Sequence, residues 1–153
     1  MHAEVFTIAR SGGVDENRLL SMDAGGWERC EIAAFPADVN LVLIGLIVYS
    51  PEEFGRSHVV SFSVHGSDGN TGSLGTMQID RSNAGAVVKT PFAYPITLRV
   101  LGPVVLSITA TVEGGPTFGP TQFEVRRKAV RRDEGGPDGA AAADELDPLD
   151  WLA

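Results

Sequence analysis

The chain has 153 residues, 43% hydrophobic and 21% charged, with a single cysteine and a net charge of −8. That length normally makes one domain and buries a sizeable core without disulfides or a metal. Cys30 alone excludes an intramolecular disulfide and a thiolate zinc cluster, and the acidic balance argues against generic binding to nucleic acid or an anionic membrane.

The body reads as strand from its start. Ala3–Ala9 is rich in β-branched and aromatic residues and runs into the turn signal Ser11-Gly12-Gly13. Arg18–Asp23 is a second candidate, closed by Ala24-Gly25-Gly26. Glu28–Phe35 alternates, with Cys30, Ile32 and Ala34 on one face, until Pro36 stops it. Val39–Tyr49 is apolar on both faces, the pattern of a strand covered on both sides or of a bent strand passing between two sheets. A helix competes for that run, but Gly45 and the β-branched content favour strand.

His58–His65 alternates again and ends in the turn Gly66–Asn70. Leu74–Asp80 is a shorter strand before the loop Arg81–Gly85. Ile96–Leu101, Gly102-Pro103 and Val104–Glu113 are expected to form a hairpin, with Val104, Leu106, Ile108, Ala110 and Val112 inward in its second arm. Thr121–Arg127 is the last strand, and Pro91, Pro95, Pro103, Pro116 and Pro120 punctuate the series. The expected fold is all-β: a sandwich, immunoglobulin-like or C2-like, of eight to nine short, mostly antiparallel strands over residues 1–127.

The charge is unevenly placed. Residues 133–153 hold seven acids and no Lys or Arg, so the body is almost neutral. Asp133–Asp144 contains no apolar residue larger than Ala and cannot bury enough surface to offset ordering entropy of ~1–2 kcal/mol per residue. Residues 128–145 therefore read as a flexible basic-to-acidic linker, and 146–153 as a short apolar and acidic peptide on a disordered tail.

In that peptide, Asp147-Pro148-Leu149-Asp150 has the signals of a helix start, but too little chain follows to hold a helix in water. Against a partner, Leu146, Leu149, Asp150, Trp151 and Leu152 would present a compact apolar surface with acids steering the approach. The other readings are that Trp151 folds back on its own sandwich, or that the end is inert.

Arg126, Arg127, Lys128, Arg131 and Arg132 form a basic segment suited to phosphate, but it lacks interleaved aromatics and adjoins the acidic arm. His58 and His65 are an odd number of positions apart and face opposite ways, which disfavours a shared metal. Ser61 and Ser63 have no nucleophile elbow around them, and Asp68-Gly69-Asn70 lacks the later Glu of a calcium loop. The chain is thus expected to be no enzyme and to use no cofactor or metal.

The segments Ala3–Ala9, Asn17–Gly26 and Phe35-Pro36, then His58–Gly66 with Asp68-Gly69, and Gly102 entering Val104–Val112, resemble a group of small uncharacterised bacterial and phage β-sandwich proteins. The resemblance spans roughly residues 3–126, implies a β-sandwich, and transfers no activity or site residue. The combined expectation is a cytoplasmic protein-binding adaptor or assembly module acting through its C-terminal peptide. The lone thiol and the absence of a signal-like or membrane-spanning run support that compartment. The alternatives are a structural or accessory subunit of a phage or other particle, self-associating through its sheets, and a nucleic-acid-directed regulator using the basic segment.

Overall fold

Glycines and prolines cut the chain into short extended runs, and a computed structural model describes residues 1–50, 53, 55–79 and 89–129 of it. Ten strands cross these residues: β1 (His2–Ala9), β2 (Ser11–Val14), β3 (Leu20–Asp23), β4 (Arg29–Ile32), β5 (Ala37–Val48), β6 (His58–Gly66), β7 (Thr71–Ile79), β8 (Lys89–Val100), β9 (Val104–Val112) and β10 (Thr117–Arg127). They form a three-stranded sheet in the order β1-β5-β8, a five-stranded sheet β4-β10-β9-β6-β7, and the small hairpin β2-β3. Among the described residues every strand pairing is antiparallel except that of β4 with β10.

The two larger sheets face each other across one apolar core. The three-stranded sheet supplies Ile8, Leu41, Leu43, Ile47, Phe92 and Ile96. The opposing sheet supplies Val60, Phe62, Ile108, Ala110, Phe123 and Val125. Both sets follow the two-residue strand period, so alternation alone selects which side chains leave water. The expected double coverage of Val39–Tyr49 is met by β5, the central strand of its sheet. Leu43 and Ile47 are fully buried on its inner face, and Ile44 on its outer face.

The hairpin β2-β3 explains Ile44. Residues 11–13, expected as a turn, instead pair with Asp23, Met22 and Ser21, and Gly12 lies over the outer face of β5. A Cβ on Gly12 would sit 2.7 Å from the Ser21 carbonyl oxygen and 3.0 Å from Ile44 Cδ1, so only glycine permits this approach. The segment after β3 then ties the sheets together. The Trp27 N–H donates to the Ile8 carbonyl at 2.9 Å, and its indole meets the Phe123 ring edge-on at 4.8 Å.

Among the described residues the strands number ten where eight or nine were expected, because the glycine-rich segment 11–14 pairs as a strand. Two further expectations change. Pro91 and Pro95 lie inside β8 rather than before it, because β8 is an edge strand and the two prolines recur at the same phase opposite Leu46 and Val42. At that phase a missing N–H can face the unpaired side. The expected hairpin of Ile96–Leu101 with Val104–Glu113 is not one. β8 pairs with β5 and β9 with β6 and β10, so residues 101–103 cross between sheets. Both arms are apolar toward the core, and crossing lets each face it from its own side.

Replacing Leu43 by Ala should cost ~2–5 kcal/mol in urea-induced unfolding, the range for large-to-small core changes; a near-silent result would show that β5 is not central to the core. Gly45 pairs with Phe92, whose ring occupies the space of a Cβ. Gly45→Ala should therefore cost ~1–3 kcal/mol. Pairing it with Phe92→Leu should return part of that loss, as a double-mutant cycle would measure.

Candidate functional site

Strand alternation decides how the basic segment is displayed. Arg126 and Arg127 are successive residues at the end of β10, so they project to opposite faces. Arg126 shares a face with Glu124 and donates to its carboxylate, which is held below the usual carboxylate range by that bond. Arg127 turns the other way and lies over the Phe35 ring, 5.7 Å from its centre. The Lys128 N–H donates to the Ile32 carbonyl at 2.9 Å, extending the pairing with β4. Arg131, Arg132, Leu146, Leu149, Asp150, Trp151 and Leu152 lie outside the described residues.

Beside Arg126 a cleft of about 540 Å³ is lined by Thr7, Trp27, Glu28, Arg29, Gln122 and Glu124, among others. Its Glu124 carboxylate, already paired and with a depressed pKa, is suited to hold a cation and poorly suited to deliver a proton near neutral pH.

The outer face of the five-stranded sheet is a hydroxyl array. Register places Thr76, Ser61, Thr111 and Thr117 in one row, and Ser73, Ser63 and Thr109 in the next. These hydroxyls bond one another: Ser63 with Thr109 at 2.7 Å and Thr111 with Thr117 at 3.1 Å. Ser63 is thus engaged with a neighbouring threonine.

The histidines stay apart, as the spacing implied. His58 is half-buried against the Tyr49 ring at 5.8 Å, and its Nε2 is buried without a hydrogen-bond partner among the described residues. His65 is exposed. Among the described residues no group of three potential metal ligands gathers. Asp68-Gly69-Asn70 makes the β6-β7 turn, with Gly69 at φ +84°. The Asp68 carboxylate accepts bonds from the Asn70 side chain and N–H, which lower its pKa.

A wider opening lies at one end of the sandwich and was not expected from the sequence. Several chain ends meet there. Ala37 at the start of β5 pairs with Val100 at the end of β8, and Val104 at the start of β9 pairs with Val125 near the end of β10. Gly66, closing β6, pairs with Leu106. Between them lies a groove of about 660 Å³ lined mainly by Val64, Leu98, Val100, Leu101, Val104 and Leu106, with Asp68, Asn70 and Arg99 also lining it. Leu101 is 78% exposed, the most exposed of the large apolar side chains described. The signal for it was the turn Leu101-Gly102-Pro103, which carries an apolar residue where polar ones are usual.

No protein-family model matches the chain, and no curated protein sequence matches it. Among solved structures it is similar to the alkylpurine DNA glycosylase AlkC of Pseudomonas fluorescens, bound to DNA containing an abasic site analog. The match has 15% identity and a TM-score of 0.36 over 64% of this chain, and spans only 27% of that one. Likeness at that level carries no argument about activity or DNA.

Cys30 packs half-buried beside the core, and burial pushes its thiol pKa up. It should therefore react with a disulfide reagent at neutral pH more slowly than a free thiol, and reach the free-thiol rate only on unfolding. A fast native reaction would mark it as an activated thiolate instead.

Proposed function

We propose that the chain is a non-enzymatic protein-binding module, an adaptor or assembly subunit, that engages a protein partner through Leu146, Leu149, Asp150, Trp151 and Leu152. The observation that supports this most is where the core ends. Among the described residues, the buried core cluster extends from Ile8 to Val125. Both sheets are filled by that point, yet the chain goes on for 28 residues and ends in four large apolar side chains. Large apolar residues gathered at the end of an acidic arm suit docking on an apolar surface. Hydroxyls and carboxylates on the body add to the non-enzymatic reading, because Ser63, Thr111 and Glu124 are engaged in structural bonds.

We further infer that the sandwich is immunoglobulin-like. The support is strand order: β1-β5-β8 corresponds to strands A-B-E and β6-β9-β10 to C-F-G, with β7 beside C in the manner of C′. Such sandwiches serve many functions, so this type narrows architecture and leaves the partner open.

A second reading, an accessory subunit of a phage or other particle assembling through the sandwich, draws support from the hairpin β2-β3. There Leu19 is 65% exposed and Met22 43% exposed, beside the outer face of the three-stranded sheet. The nucleic-acid reading has less support, since Arg126 is paired and Arg127 faces elsewhere.

Affinity capture separates these readings. Trp151→Ala should weaken capture of the partner more than about thirtyfold, the loss that follows from removing a hot-spot side chain worth ~2 kcal/mol or more. Asp150→Asn should cost much less and act chiefly on association rate and salt dependence. A partner held equally by wild type and Trp151→Ala overturns the tail reading. Loss of the partner, or of self-association, on Leu19→Asp alone would establish the second.

A further inference from the structure

We propose that the groove at the open end of the sandwich is the resting place of the chain's own C-terminal tip, with Leu149, Trp151 and Leu152 seated among Leu98, Leu101 and Val104 of the same molecule. The proposal rests on the reading of the tip as a recognition peptide, and adds what holds that peptide before a partner takes it.

The position of the chain's exit is the first support. β10 is the last strand, and its Val125 is paired with Val104, which lines the groove. The chain therefore leaves the body one strand spacing from the opening, at the same end of the sandwich. An exit at the other end would have put the length of the domain between them.

Length is the second. Sixteen residues, 130–145, separate the described chain from Leu146. A Gly- and Ala-rich coil of that length has a root-mean-square span of about 20–24 Å, which reaches the groove without being drawn taut. Tethering at this range gives an effective concentration on the order of 1 mM, so a groove affinity of only about 0.1 mM would keep roughly nine-tenths of the tips docked. At micromolar protein concentration, a second copy cannot compete with that.

Chemistry is the third. The groove is apolar at its centre and takes an indole with one or two leucines, within the usual size of peptide and ligand pockets of about 300–1,000 Å³. Arg127 and Lys128 supply positive charge at this end, and the arm carries seven acids. Asp38 and Arg99 offset each other as an ion pair at 3.5 Å, while Asp68, bonded to the neutral Asn70 amide, keeps its charge and opposes the arm at the groove. The arm's acids accordingly pass on the side of Arg127 and Lys128.

The test uses the full-length chain. Trp27→Phe leaves Trp151 as the sole indole, since the protein has two tryptophans. In this variant Trp151 should emit at short wavelength and resist acrylamide. Both properties should be independent of protein concentration from about 1 to 100 µM, as an intramolecular contact requires. Adding Leu101→Asp, at an exposed position, should restore the emission and quenching of a solvated indole.

If Trp27→Phe does not fold, 5-fluorotryptophan in the otherwise unaltered chain gives the same reading, with the Trp151 fluorine line assigned by its loss in Trp151→Phe. That line should move toward the solvated position on Leu101→Asp. A solvated Trp151 in the full chain, protection unchanged by Leu101→Asp, or protection that grows with concentration (docking into a second copy) each overturns the proposal. Any of these leaves the Trp151→Ala capture result standing. Failure of that capture experiment leaves the fluorescence result standing in turn.

Discussion

The sandwich depends on one packing contact, the Phe92 ring lying across Gly45. Gly45 and Phe92 are direct cross-strand partners in β5 and β8, and the absence of a Cβ lets the ring fall onto the inner face of the sheet. From there Phe92 lies 6.5 Å from Phe6 on β1 and 5.9 Å from Phe62 on β6. Phe62 in turn stacks on Tyr94 at 4.5 Å. One glycine thus sets a seam of aromatic contacts that joins both edges of the smaller sheet to β6, an inner strand of the larger one. Such pairs add roughly 0.5–1.5 kcal/mol each beyond the area they bury.

The two ends of the molecule follow from how this seam is closed. On the side of β1 and β10, Trp27 bonds to one sheet and packs on the other, and its segment seals the approach of the two edges. At the end where β5 starts and β8 stops, the three-residue crossover 101–103 is too short to carry a covering element. Val64, Leu98 and Val104 are left only partly covered, and Leu101 stands in solvent. On the function proposed above such an end has a use, because an open apolar groove next to a chain exit can hold a tethered peptide and release it.

The hydroxyl face of the larger sheet shows the opposite arrangement. Its Ser and Thr side chains pair across strands, so the face is polar without exposing unsatisfied charge. The ladder of one sheet is therefore quiet on its outside, while the smaller sheet's outer face is covered by β2-β3, which carries the exposed Leu19 and Met22. Asymmetry between the two outer faces is a property of the assembled sheets, since each strand alone alternates in much the same way.

Alternation along β6 and β9, with the doubly apolar run of β5, determined from sequence that the protein is all-β and named part of its core. The period of two is local and needs only a dozen residues to declare itself. The change of composition after Arg132 is a property of the sequence itself, and it lies outside the described residues. Only the tertiary structure decided the rest. Glycines 12 and 13 read as a turn until Ile44 needed a cover, and Pro91 and Pro95 read as breaks until β8 was found at an edge. Leu101-Gly102-Pro103 read as a hairpin until β8 and β9 took different sheets. Each of these depends on which strands become neighbours, and that is set by the mutual burial of faces far apart in sequence, a quantity no local window contains.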